Sequence, residues 1–261
     1  MKPKIEVHIS TFGSRIEDLE KRLPCAGNVV YKVIHQKYEG NQTCFDFSSR
    51  SDIVYIPSDS IGVARSRNVG LMTADNESVV LFSDDDVVYD IDLFSRLFDF
   101  FQDERIAFCT FKVGLIGKST KTMLDYPNEK QNLKFGNIGK FGAINLAVRQ
   151  SFINHNGLTF DSLFGPGAKF SIGEDYIFMV DLLRNKAVGR YFPEILINHT
   201  EENTGTINSK QLLFDRGPMF LRAHGIIRGF LVCVIFGLRK FGFSGTLVIL
   251  NGFLFRLIRK K

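Results

Sequence analysis

Apolar and polar stretches alternate along this chain in two different periods. Residues 5–11 (IEVHIST), 29–34 (VVYKVI) and 52–57 (DIVYIP) read as strands, rich in β-branched and aromatic residues and bounded by polar turns. Phe12, Gly13 and Ser14 form the first turn, and Ile16, Leu19 and Leu23 recur at helical spacing, so a helix is expected over 15–23. A second helix is expected over 60–74, where Val63, Arg67, Gly70, Leu71 and Ala74 fall at helical intervals. The unbroken apolar run Val79-Val80-Leu81-Phe82 predicts a strand of a parallel sheet, buried on both faces. A strongly amphipathic helix over 91–102 (IDLFSRLFDFFQ) and a strand over 106–113 follow.

The second half is less regular. Residues 114–141 are polar and Lys-rich, which suggests a loop able to close over a site. A strand is expected over 142–148 and a short helix over 149–154. Residues 158–173 carry Gly165, Gly167 and Gly173, as suits a loop whose backbone lies close to a ligand. Gly173-Glu174-Asp175 opens a helix reaching 185. Residues 188–192 and 194–198 read as two edge strands, leading to His199 and a polar loop over 200–206. Strands alternating with helices predict an α/β fold with a doubly wound, mostly parallel sheet flanked by helices.

Composition changes this picture mainly at the C-terminus. With 261 residues, 44% hydrophobic and 23% charged, the chain can bury the core of one large domain with an appendage. The expected division is a domain over 1–210 and a hydrophobic, basic, helical tail over 211–261. Arg216, Arg222, Arg228, Arg239, Lys240, Arg256, Arg259, Lys260 and Lys261 lie in a stretch without Asp or Glu. Basic residues inside an apolar tail point to an anionic membrane surface, not to nucleic acid. The tail has two apolar stretches, 229–238 and 241–255, split by Arg239-Lys240. Each is shorter than the ~20 residues of a spanning helix. Helices lying in the membrane interface, core helices packed on the domain, an oligomer interface and a transmembrane hairpin all remain open. Cys25, Cys44, Cys109 and Cys233 lack metal or redox spacing and read as separate thiols in a reducing compartment. The opening MKPKIEVHISTF has no signal-peptide core. The expected location is therefore the cytoplasm, peripheral on the cytoplasmic face of the membrane.

The candidate chemistry centres on Asp84, Asp85 and Asp86, which end the 79–82 strand. Open α/β sheets bind ligands at the C-terminal ends of their strands. Three adjacent carboxylates repel one another unless something positive sits among them, and a hard divalent cation that keeps positions for substrate phosphates would answer that. The plain alternative is a solvated acidic turn. Arg65 and Arg67, near a helix N-terminus, suit phosphate equally as well as an ordinary helix surface. Glu174 and Asp175 in a first helical turn are, taken alone, better explained by the helix dipole.

Four segments in order resemble the family 2 glycosyltransferases, enzymes of the GT-A fold: IEVHISTF; GVARSRNVGL followed by VVLFSDDDVV; FGAINLAV with FDSLFGPGAKFSIGED; and INHTEENTG, which carries His199. Together they span residues 5–206. The resemblance implies that Asp84 and Asp86 are the outer acids of the family's Asp-x-Asp motif. That motif binds Mn²⁺ or Mg²⁺ and, through it, the diphosphate of a nucleotide sugar. Asp85 then faces the donor ribose or sugar, and His199 helps hold metal or pyrophosphate. Thr11, Phe12, Arg15 and Arg67 match the nucleotide side. Asp175 matches the general base of inverting members, with Glu174 orienting the acceptor or sharing that role.

The implied enzyme is an inverting, metal-dependent glycosyltransferase. Its donor is a nucleoside-diphosphate sugar, commonly UDP-linked, and its acceptor a glycan, lipid-linked, in surface polysaccharide synthesis. Membrane contact through the tail and a homo-oligomer are compatible with this. One departure is plain: Ile34-His35-Gln36-Lys37 lacks the acid that recognises the base in many members. Base contacts would then come from His35, Gln36 or the Asp59 region. The same gap supports an alternative, a noncatalytic, membrane-associated nucleotide-sugar-binding or scaffold protein. A nucleotidyltransferase is disfavoured because no glycine-rich, basic loop follows the first strand.

Overall fold

The computed structural model describes residues 4–36, 47, 49–90, 92–200 and 209–259. Lys37, Cys44, Ile91 and residues 201–206 of the loop expected over 200–206 lie outside the described residues. The chain forms two compact units. One comprises Met1–Ile61, Arg65–Thr159 and Leu182–Glu201; the other comprises Gly62–Ala64, Phe160–Asp181 and Glu202–Lys261.

The first unit is built on one sheet. In chain order its elements are β1 (Ile5–Phe12), α1 (Leu19–Arg22), β2 (Val29–Gln36), β3 (Ile53–Ser58), α2 (Val63–Thr73), β4 (Val79–Asp84), β5 (Val88–Tyr89), α3 (Leu93–Phe100), β6 (Ile106–Leu115), β7 (Lys118–Thr122), β8 (Gln131–Asn132), β9 (Leu146–Arg149) and α4 (Gln150–Asn156). α5 (Glu174–Arg184), β10 (Val188–His199) and α6 (Lys210–Ile258) complete the chain. The sheet order is β3-β2-β1-β4-β9-β6-β10-β5, with β7 on β6 and β8 on β10. β3, β2, β1 and β4 run parallel, as do β6 and β10. The fold is mixed α/β with a central sheet flanked by helices, as expected. β9 was not expected to run as it does: it lies antiparallel between β4 and β6 and joins the two parallel halves.

β1 and β4 are buried on both faces, which explains their unbroken apolar character. Register places Ser10 of β1 beside Asp84 of β4, so the two strands deliver their C-terminal ends to one place. At the opposite end of β1, Glu6 is buried against Lys32, 2.7 Å away. Burial would raise its pKa, but hydrogen bonds with His8 and Lys32 hold the carboxyl at about 2. Lys32 also donates to the Thr73 carbonyl at the end of α2, so a buried charge is fully partnered and ties β1, β2 and α2 together.

Three expectations give way to the structure. The helix over 15–23 is instead a 3₁₀ turn (Gly13–Ile16) and the single-turn α1. Glu17 is extended and Asp18 left-handed between them. Ile16, Leu19 and Leu23 are buried all the same, so the apolar spacing was real. Residues 114–141 are not an open loop. They add β7, β8 and a 3₁₀ turn (Ile138–Lys140) and bury Tyr126, Leu133, Ile138 and Phe141; a few well-spaced apolar residues anchor a segment whose average composition is polar. The two strands expected over 188–198 are one strand, β10, whose register shifts between Tyr191 and Ile195. Pro193 lies in that shift and has no N–H to give the ladder.

The second unit is dominated by α6. Its backbone leaves helical geometry at Gly225 (φ 73°, ψ −172°) and Gly242 (φ 67°, ψ −166°), a region open to glycine alone. These breaks divide it into segments 210–224, 226–241 and 243–258. The first and third cross with backbones in contact. A Cβ on Gly252 would lie 1.9 Å from the Phe214 carbonyl oxygen, and one on Gly217 would lie 2.2 Å from the Ile249 oxygen. Gly252→Ala therefore has to separate two helices, and it is expected to destabilise the protein by about 2–3 kcal/mol. Chemical denaturation read by circular dichroism checks this; an unchanged midpoint would show that the crossing is looser than described.

Candidate active site

In the first unit, three acids and their partners come together at the C-terminal end of the sheet. Asp84 is the last residue of β4, and Asp85 and Asp86 form the turn that follows. The turn is fixed from behind by Ser83, whose hydroxyl pairs with the Tyr89 hydroxyl at 2.8 Å. Each acid meets a cation from a different element. Asp84 faces Arg67 of α2, with Nη2 3.6 Å from Oδ1. Asp85 meets Arg15 of the turn after β1, with Nη2 2.5 Å from Oδ1. The same guanidinium donates to Asp86 Oδ2 at 3.1 Å. Asp86 Oδ1 lies 3.0 Å from His199 Nε2 at the end of β10.

Burial and charge set these groups apart. Asp85 is 4% exposed, and burial pushes its carboxyl up while the Thr11 hydroxyl and Arg15 oppose the rise. Asp86 is pulled down by its hydrogen bond with His199. That same bond lifts the His199 imidazole to about 9 against the opposing effect of burial. His199 Nδ1 sits 3.0 Å from the Thr200 carbonyl oxygen, to which it donates.

Eight of the ten residues proposed from sequence lie in this unit. Arg15, Arg67, Asp84, Asp85, Asp86 and His199 form the cluster just described. Thr11 is buried beneath it, beside Asp85, and Phe12 ends β1 in register with Gln36. Two members were missed. Arg22 donates to the Asp85 carbonyl oxygen at 2.5 Å, and Tyr89 holds Ser83. Neither carries a sequence signal, because Arg22 reads as the basic end of an amphipathic helix. His35 was a candidate for contacting a base. Its Nδ1 lies 2.9 Å from the Tyr55 hydroxyl and its Nε2 3.0 Å from the Gly13 carbonyl oxygen. Nε2 must therefore carry the proton, and the ring braces β2, β3 and the turn that holds Arg15.

Among the described residues no three His, Cys, Asp or Glu side chains stand together as a metal cage. Asp86 and His199 are a different arrangement, one carboxylate beside one imidazole. That donor pair suits a divalent ion that leaves most of its positions to substrate oxygens and water. Asp84, the other expected metal ligand, is held against Arg67.

Glu174 and Asp175 belong to the second unit and open α5. The loop before them is pinned by the Phe164–Phe170 bridge, with Gly165 N–H donating to the Phe170 oxygen at 2.8 Å. Gly165 has φ +98°, and a Cβ there would lie 2.7 Å from Glu174 Cδ. The Glu174 carboxyl, 6% exposed, thus packs onto bare backbone. The first segment of α6 braces the same loop. Fully buried Asp215 accepts the Ser171 N–H at 2.8 Å. His224 pairs with the Tyr176 hydroxyl at 2.7 Å. Arg222 joins Asp161 at 2.8 Å and Asp181 at 2.9 Å.

Residues 35–155 match the model of glycosyl transferase family 2, a segment that includes Arg67 and all three acids. The match covers under half of the chain and makes that segment similar to the family. The chain is a glycosyltransferase, and the sheet it folds into is of the GT-A kind. Among solved structures, residues 1–349 of S. aureus TarS superpose with a TM-score of 0.65 at 14% identity, covering 93% of this chain and 73% of that one. The same protein in complex with UDP gives 0.63 at 15% identity, covering 93% and 73%. Its complex with UDP-GlcNAc gives 0.63 at 14% identity, covering 95% and 79%. Identity at this level establishes the fold. No curated protein matches the chain by sequence.

The raised His199 has a consequence for stability. A group whose folded pKa lies above its unfolded value stabilises the fold fully below the unfolded value, 6.5 here. That contribution is lost as pH rises through about 9. The transferase without metal is therefore expected to lose on the order of 2 kcal/mol between pH 6.5 and 9.5, and His199→Gln is expected to flatten that decline. Urea midpoints across this range check it; parallel declines in the two proteins would remove the His199 assignment.

Proposed function

We propose that this transferase moves a sugar from a nucleoside-diphosphate sugar, UDP-linked, to a hydroxyl of a glycan acceptor with inversion at the anomeric carbon. The observation that carries this is the cluster at the end of β4, where three carboxylates and the cations Arg15, Arg67 and His199 converge within the unit that holds the family 2 segment. The TarS complexes with UDP and UDP-GlcNAc support the choice of donor class.

In this reading the guanidinium groups of Arg15 and Arg67 are offered to diphosphate oxygens. Asp86 and His199, with Asp84, would hold a divalent cation, Mn²⁺ or Mg²⁺, which would neutralise charge on the leaving diphosphate; Asp84 lies against Arg67. Asp85 is kept in place by Arg15 and Arg22 to meet the donor ribose or sugar. Asp175 takes the proton from the acceptor hydroxyl as its oxygen attacks the anomeric carbon. The bond from that carbon to the diphosphate oxygen breaks, and its electron pair leaves with the diphosphate. Glu174, packed on the Gly165 backbone, orients the acceptor. The acceptor is a lipid-linked saccharide of surface polysaccharide synthesis, met at the cytoplasmic face of a membrane through α6. The apolar length and basic character of α6 support that location.

Two substitutions separate the roles. Asp86→Asn is expected to abolish the extra thermal protection that Mn²⁺ gives in the presence of UDP, because a ligand bound to the folded state alone raises apparent stability. Asp175→Asn is expected to keep that protection and lower turnover about 10²–10⁴-fold. Transfer that survives Asp175→Asn unchanged would remove Asp175 as the base.

A further inference from the structure

The middle segment of α6, 226–241, is packed the wrong way round for water, whereas the last, 243–258, buries Ile249 and Phe253 beside Gly245, Thr246 and Gly252. A helix pair in a soluble protein turns its large apolar side chains inward. Here the inward residues of 226–241 are Gly229, Cys233 and Gly237, one turn apart. A Cβ on Gly237 would lie 2.6 Å from Thr246 Oγ1 of the next segment, so the two backbones nearly touch. The Thr246 hydroxyl is itself satisfied by the Gly242 carbonyl at 2.7 Å. The outward residues are large: Ile227 is 78% exposed and Leu231 53%, with Ile235, Leu238, Leu247 and Leu254 exposed beside them. Small residues in the seam and large apolar residues outside is how helices pack when the surroundings are lipid.

Charge and length then say how the pair meets lipid. Each segment has about 16 residues, or ~24 Å of helix, short of a ~30 Å hydrocarbon core. Arg228 and Arg239 bracket an apolar run of only ten residues in the first segment, and Arg256 and Arg259 close the second. Arg228, Arg239, Lys240 and Arg259 are exposed, and no acid follows Asp215 in the chain. A second copy would bring like charge to like charge on this face, whereas anionic headgroups neutralise it. We propose that segments 226–241 and 243–258 form a two-helix layer lying in the headgroup region of an anionic bilayer, its large apolar side chains turned to lipid and its arginines to phosphate. The layer is argued from its own packing. It rests on the transferase reading only for its use, which is to hold the enzyme where a lipid-linked acceptor lies.

The chain has no tryptophan, so Leu231→Trp gives the full-length protein a single reporter. With vesicles of phosphatidylcholine and phosphatidylglycerol, its emission is expected to shift to the blue. Lipids brominated near the carbonyl end of the chains should quench it more strongly than lipids brominated near the methyl end. Flotation of the otherwise unaltered chain with the same vesicles is expected to fall at least ten-fold with phosphatidylcholine alone, and by as much in the variant Leu231→Asp/Ile235→Asp. Thermal protection by UDP with Mn²⁺, measured on every variant, reads folding and the donor site separately. A folded chain that does not float and scatters light as an oligomer overturns the proposal in favour of a second copy. Stronger quenching from the methyl end, or flotation unchanged by the two aspartates, overturns it as well. Loss of nucleotide protection with flotation intact would instead strike the donor reading and leave the lipid layer standing.

Discussion

Three consecutive carboxylates at one strand end repel one another strongly in a partly buried site, and the fold tolerates them because each meets a cation there. Arg15 comes from the turn after β1, Arg67 from α2 and His199 from the far end of β10. This constraint reaches back into the architecture. β1 must lie beside β4 to bring Arg15, and α2 must cross β1 to bring Arg67. β10 must run parallel to β6 so that His199 ends on the same side of the sheet. The broken helix after β1 fits the same demand, since one continuous helix over 15–23 would replace the extended Glu17 and left-handed Asp18 that separate Arg15 from Arg22, and both arginines reach the acidic turn.

The cluster is also poised for exchange. Arg15 and Arg67 neutralise the carboxylates, and guanidinium groups suit phosphate oxygens as well as carboxylates. His199 holds its proton because Asp86 is beside it.

The second unit obeys a different constraint, the close approach of helices. Glycines at 217 and 252 let the first and third segments of α6 cross at backbone contact. The first segment braces the loop bearing Glu174 and Asp175 through Asp215, Arg222 and His224. The part of the chain that reads as a tail is therefore two things: a support for the acidic loop, then a helix pair that buries Gly229, Cys233 and Gly237 and leaves Ile227, Leu231 and Ile235 exposed.

Local sequence carried much of this. The buried strands, the amphipathic helix α3, the acidic end of β4 and the apolar, acid-free C-terminus follow from periodicity and composition, because a side chain's preference for core or water is written in its own chemistry. The family resemblance added expected roles for Asp84, Asp86, Asp175 and His199. What the chain could not show was pairing at a distance. Arg22 and Tyr89 look ordinary until they reach Asp85 and Ser83. His35 looks available until Tyr55 and Gly13 take both its nitrogens. Residues 114–141 look like a loop until four spaced apolar residues find the core. The three acids asked for positive charge, and only tertiary structure decided that Arg15, Arg67 and His199 supply it, since an ion pair depends on distances that no local pattern encodes.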